Sequence, residues 1–209
     1  MKTRSTAPQL VPQPAEPATK GHATRQAILA VAAKAIREQG PDRISVVAVM
    51  RAAGLTHGGF YAHFESKEAL VAEAIAMMFA GGRDRFVARI GDREGPEALK
   101  HWIDRYVSRS HRDDPGGGCA LSALMSDMPR MDAAARAAYD DGARGIAARL
   151  ARYLPASGEQ AEPQVLTLLA EMAGAVALAR AVSDPALSDR ILKQSRAALK
   201  ARIDEMSAA

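Results

Sequence analysis

Cysteine is nearly absent. Cys119 stands alone among 209 residues, which excludes a disulfide framework, and no Cys/His spacing suits a structural zinc. Aromatic residues make up only 4% and β-branched residues are scattered, so nothing reads as a sheet. No run of about 18 uncharged apolar residues is present, which argues against a membrane span. The opening MKTRSTAPQLVPQPAEPATK has basic residues but no apolar stretch after them, unlike a secretory signal. What is abundant is Ala, Leu, Arg and Glu, within 48% hydrophobic and 25% charged residues. That mixture favours helices. The expectation is an all-α, soluble, cytoplasmic protein without a cofactor.

The net charge of +4 is unevenly placed. Residues 1–70 hold nine Lys/Arg against five acids, and the remaining 19 of each sign cancel. A basic first third points to an anionic partner there, although a basic tail can also serve solubility alone.

Four prolines (Pro8, Pro12, Pro14, Pro17) and no apolar periodicity predict a disordered arm over 1–21. Ile28, Leu29, Ala32, Ala35 and Ile36 then recur at helical spacing until Gly40-Pro41. Ser45 caps a short helix over 46–53 that ends at Gly54, Thr56 caps another over 57–63, and Ser66 caps a longer one over 67–90. Further helices are expected from Gly95-Pro96 to about Ser110, over 119–127, over 132–154, from Pro163 to 182, and to about Met206. DDPGGG (113–118) and PASGEQAEP (155–163) read as loops. The total is about nine helices: a three-helix unit over 22–70 and a helical bundle over 71–209.

The segment ISVVAVMRAAGLTHGGFYAHFESKEAL (44–70) carries the functional signal. Two short helices around a tight Gly-containing turn read as helix-turn-helix. Ala48, Ala52 and Ala53 allow close crossing, and Gly54 can take positive φ. Val46, Val49, Leu55, Phe60 and Phe64 can fill a small core. Thr56, His57, Gly58, Gly59, Tyr61 and His63 are left on an outer face, as a recognition helix requires. AAGLTHGGFYAHFESKEAL, with Tyr61 and Phe64 three apart and Lys67 opening the next helix, resembles the signature of the tetracycline-repressor (TetR) family of transcriptional regulators. GGGCALSALMSDM (116–128) is similar to one branch of that family. The resemblance implies that Thr56 caps the recognition helix and contacts a phosphate. It implies that His57, Gly58 and Gly59 face base edges of a double-stranded operator, and that Tyr61 and His63 touch backbone or bases. Lys67 and Ser45 would bind phosphate at helix starts. Val46 and Val47 depart from the polar or basic side chains common at the start of the second helix, and Met50 departs from the small residue common there.

Other signals are weaker. His63-Phe64-Glu65 matches the H-x-E of zinc deaminases, but no P-C-x-x-C follows. The GGG of 116–118 lacks the Lys-Ser/Thr of a phosphate loop. Cys119 reads either as a small buried hydrophobe or as a reactive thiol near a helix start. Trp102, Tyr106, Cys119, Met125 and Met172 either line a site for a small apolar or electrophilic effector or simply fill the core. The helix over 165–182 is apolar on nearly every side, with Glu171 and Arg180 its only charges, which predicts a homodimer through it and the last helix, with Ala173 and Ala177 at the interface. A ligand-responsive repressor is the leading reading. An architectural DNA binder without an effector and an enzyme or carrier built on a helical bundle are the competing ones.

Overall fold

The computed structural model describes residues 20–154 and 161–208, so most of the proline-rich arm and of the loop over 155–163 lie outside the described residues. Among the described residues there are nine α-helices, two short 3-10 helices and no strand. Helix α1 (Lys20–Gln39) buries Ile28, Leu29, Ala32, Ala33 and Ile36 along one side and stops at Gly40, whose φ is 86°. Ser45 caps α2 (Val46–Ala52), its hydroxyl accepting from the Ala48 N–H at 3.5 Å. Gly54 turns the chain at φ 75°, where any Cβ would be strained. The next segment, His57–Ala62, is a 3-10 helix rather than the expected α-helix, and Thr56 makes no capping hydrogen bond. Two adjacent glycines lower its helical preference by about 1 kcal/mol each, and six residues are too few to recover it. Ser66 then caps α3 (Lys67–Ile90) by accepting from Ala69 N–H at 3.1 Å.

The second half departs from the sequence expectation at one break. Helix α4 (Gly95–Tyr106) ends four residues before Ser110. Val107 leaves helical geometry at φ −88°, ψ 68° with its side chain fully buried, and Ser108 caps a new helix, α5 (Arg109–Asp113), by accepting from His111 N–H. Core burial of Val107 outweighs helix continuity there. Helix α6 (Ala120–Leu124) is also shorter than the expected 119–127, and a 3-10 turn over Met128–Arg130 follows at Pro129. Helices α7 (Ala133–Ala151), α8 (Ala161–Ala181) and α9 (Pro185–Ala208) complete the bundle. By length and composition α8 could cross a bilayer, yet Val165, Leu168, Met172, Val176 and Ala179 are buried inside the protein.

Two cores share α3. Leu70, Val71, Ala74, Ile75 and Met78 join α1, α2 and the Phe60–Phe64 segment, whereas Phe86 and Ile90 join α4, α8 and α9. Phe79 and Tyr139 touch both cores, edge to face at 5.6 Å. Helix α3 is therefore not the only link between the two halves. Ala120, Leu124, Met128 and Ala135, from α6, its following turn and α7, lie in the N-terminal core, and Arg37 of α1 donates to the Gly116 carbonyl. Packing, not chain connectivity, adds this second link.

Where α3 crosses α7, Gly142 lets the helices approach so closely that a Cβ would overlap the Phe79 ring. Replacing a helical Gly by Ala normally adds about 1 kcal/mol, whereas overpacking costs about 1–3 kcal/mol. Gly142→Ala is expected to lose up to about 2 kcal/mol net, and a melting temperature above wild type would contradict this crossing.

Candidate nucleic-acid interface and cavity

The turn after α2 has a buried base and an exposed rim. Phe60 and Phe64 are buried and stacked at 5.7 Å, and Phe60 meets Tyr61 edge-on at 5.2 Å. Arg25 of α1 holds the base from below. Its guanidinium lies 4.7 Å over the Phe64 ring, its Nε donates to the His63 carbonyl at 3.2 Å, and it pairs with Glu73 of α3. Above this base Thr56, His57, Gly58 and Tyr61 are exposed, Tyr61 by 70%, while Gly59 and His63 are half-buried. A Cβ on Gly59 would meet the Met50 methyl at 3.8 Å, so buried Met50 packs beneath it in place of a smaller residue.

Ser45 is exposed at the start of α2. The Lys67 ammonium donates to the Asp42 carbonyl at 3.0 Å, which fixes a cation at the start of α3. Ser45, Thr56, His57, Gly58, Gly59, Tyr61, His63 and Lys67 thus all fall on or beside one turn-and-helix-end region. Val47 is 50% exposed and is followed one turn later by exposed Arg51, a cation on α2 that the sequence reading passed over. Its i+4 spacing from Val47 was the available signal.

The second feature is a cavity of about 220 Å³ among α3, α4, α7 and the loop before α6. Trp102, Tyr106 and Cys119 line it. Met125 and Met172 do not. Met125 lies in a separate groove of about 670 Å³ between α7 and α8, and Met172 is buried in the core. The five-residue ligand set therefore splits. The wall also carries residues that sequence reasoning missed: Phe86, His111 and the arginines Arg85, Arg89, Arg105 and Arg149. Arg85 and Arg89 stand four apart on α3, a like-charge pair that weakens a helix and was visible as spacing.

Electrostatics in the wall follow from burial. Phe86 and Trp102 meet at 4.7 Å, and Arg149 lies 5.6 Å from the Phe86 ring. Burial lowers the pKa of Arg89, and Arg105 and Arg85 add to the effect by repulsion. The Tyr106 hydroxyl is buried without a hydrogen-bond partner, and burial, then neighbouring Cys119, raises its pKa. His111 is held in one tautomer. Its Nδ1 donates to the Tyr106 carbonyl at 2.7 Å, because its Nε2 accepts from the Cys119 N–H at 3.0 Å. Burial chiefly, and then Arg180, pushes its pKa down to about 4, against the hydrogen bond to Tyr106, which raises it.

Protonation of His111 would break its bond with Cys119 N–H. The unfolded chain takes up that proton near pH 6.5 and the folded chain only near 4. Stability conferred by neutral His111 is thus complete above about pH 6.5 and falls by on the order of 3 kcal/mol as pH drops to about 4. In denaturant titrations across this range, His111→Gln is expected to flatten the acid-side loss. An unchanged slope would show that His111 is not the titrating group.

Comparison with known proteins accords with this geometry. A family profile described as bacterial regulatory proteins, tetR family, matches residues 28–74. The HTH-type transcriptional repressor NemR of Escherichia coli is 24% identical over 135 residues, 64% of this chain and 68% of that protein. The crystal structure of reduced NemR superposes with a TM-score of 0.73 at 23% identity, covering 86% of this chain and 96% of that one. A TetR transcriptional regulator from Chloroflexus aurantiacus gives 0.66 at 28% identity, covering 90% and 97%. Residues 28–74 thus match the tetR family of bacterial regulatory proteins, and the all-α fold of the chain is the one found in a solved TetR transcriptional regulator.

Proposed function

We propose that this regulator represses transcription as a homodimer on a near-palindromic operator, and that a small molecule entering the cavity releases it. The observation that carries the reading is the exposed, hydrogen-bonding rim of His57, Gly58 and Tyr61 on the rigid Phe60–Phe64 base. In this reading residues 22–70 form the DNA-binding domain and 71–209 the ligand-binding and dimerisation domain. His57, Gly58 and Gly59 face base edges, and Tyr61 and His63 touch backbone or bases. Ser45, Thr56 and Lys67 hold phosphates. Such a protein works in the cytoplasm, where the DNA is.

Dimerisation is supported by a strip of α8 that no described residue covers. Leu166 and Leu178 are each 53% exposed, and Ala170 and Gly174, one turn apart between them, face open space or solvent. Leu187 extends the strip onto the start of α9. Ala173, expected at the interface, is instead buried within the protomer, because the inward side of α8 carries it with Met172 and Val176. A charge at Ala173 would unfold the chain rather than split a dimer; Leu178→Glu is the appropriate probe.

Release of DNA needs a link from cavity to rim. Cys119 immediately precedes α6 at the cavity wall, and α6 sends Leu121 into the C-terminal core and Ala120 and Leu124 into the N-terminal one. An occupant that shifts α6 or α3 moves the two recognition segments of a dimer out of register, at a coupling of about 1–3 kcal/mol. A second trigger is supported by half-buried Cys119 itself, whose thiol an electrophile in the cavity can reach.

The tests are direct. Lys67→Ala is expected to weaken gel-shift binding to upstream DNA for all sequences alike and to flatten its salt dependence by about one unit per subunit. Tyr61→Ala should weaken it as well, and unaltered affinity in both variants would refute the docking face. Leu178→Glu should sediment as a folded monomer; a wild-type chain that is monomeric at micromolar concentration would refute the dimer. Cys119→Ser should keep DNA binding yet lose release by electrophiles, and full electrophile response in that variant would exclude thiol sensing.

A further inference from the structure

We infer that the cavity beside Trp102 takes an aromatic acid, a flat ring bearing a carboxylate, whose charge is received by Arg85, Arg89 and Arg105. The inference rests on the reading of this cavity as an effector site and adds the chemical class of the effector. Three observations carry it.

First, the wall is strongly cationic. Arg85 and Arg89 reach it from α3, Arg105 from α4 and Arg149 from α7, against the single carboxylate of Asp114. That carboxylate is already engaged, accepting from the Gly117 N–H at 2.9 Å.

Second, three of these cations make no ion pair. Other arginines of the bundle do: Arg112 with Asp189 at 2.8 Å, Arg202 with Glu171 at 2.7 Å, Arg130 with Asp127 at 2.8 Å. Arg85, Arg89 and Arg105 make no ion pair with any described residue, and the repulsion of Arg105 and Arg85 bears on Arg89. Arg85 is half-buried while Arg89 and Arg105 are exposed; like charges gathered on one wall repel one another until an anion neutralises them, and guanidinium forks match a carboxylate in two-pronged fashion.

Third, the rest of the wall is shaped for a ring. Phe86 and Trp102 present an edge-to-face aromatic pair at 4.7 Å, and Met78, Phe79 and Ile146 complete an apolar side. A volume of about 220 Å³ lies below the roughly 300–1,000 Å³ usual for ligand sites, which limits the occupant to about one or two rings.

The test uses the full-length protein with benzoate and 2-naphthoate, and with benzamide and 2-naphthamide as uncharged counterparts, by isothermal titration calorimetry in low salt. At least one acid is expected to bind ten-fold or more tightly than its amide, with the advantage shrinking as salt rises. Arg89→Gln/Arg105→Gln should abolish that advantage while leaving the melting temperature and the weak amide binding as in wild type. Equal affinity for acid and amide, no binding of either acid, or an advantage that survives the double substitution would each overturn the assignment. Gel shifts run with the same compounds separate it from the wider reading. An acid that binds through the arginines without releasing operator DNA leaves the ligand class standing and refutes effector control. An amide that binds as well as the acid and releases DNA does the reverse.

Discussion

The contact on which the rest of the molecule depends is that of Phe79 with Tyr139 across the α3–α7 crossing. Both rings belong to the edges of two cores at once, and Gly142 admits the Phe79 ring by lacking a side chain. The Tyr139 hydroxyl donates to the Leu121 carbonyl at 2.8 Å, so the same contact also seats α6. Protein cores are packed densely enough that a shift on one side of such a joint is passed on rather than absorbed. The DNA-facing unit and the bundle are two cores with a common wall.

That arrangement explains why the rim can be soft and still be well placed. A six-residue 3-10 segment containing two glycines has little helical stability of its own. It is held instead from beneath, by the Phe60–Phe64 stack and by Arg25, which engages a ring, a carbonyl and a carboxylate together. Exposed groups there need no internal partners because they remain open to solvent.

Charge and hydrogen bonding brace the bundle at two places. Around α9, the pairs Lys200–Asp104 at 2.8 Å and Arg202–Glu171 at 2.7 Å tie α4 and α8 to the last helix. Ser188 donates to the Ala179 carbonyl at 2.6 Å, which fixes the turn between α8 and α9. The loop leading to α6 is held by His111 at the Cys119 N–H and by Arg37 of α1 at the Gly116 carbonyl, while Arg180 of α8 donates to the His111 and Arg112 carbonyls of α5 before it.

The helix-turn-helix was legible because its signals are local. Ser45 and Ser66 as caps, Gly54 as a left-handed turn and alternating small and aromatic residues over 44–70 act within a few residues of chain. The all-α class was legible for the same reason, since composition and 3.6-residue spacing need no partner to be read. Other features were decided only by tertiary packing. Burial of Val107 broke the helix expected to reach Ser110, and Met172 and Ala173 turned inward because α8 presents that side to α4 and α9. Met125 was carried to a different groove by the shortness of α6. Four arginines from three helices became one cationic wall only when those helices met. Sequence by itself determined which segments are helical and which carries the recognition turn, because capping, turn geometry and periodicity are short-range. The cavity, its charge and the joint between the cores belong to the tertiary structure, because they arise from contacts between residues far apart in the chain.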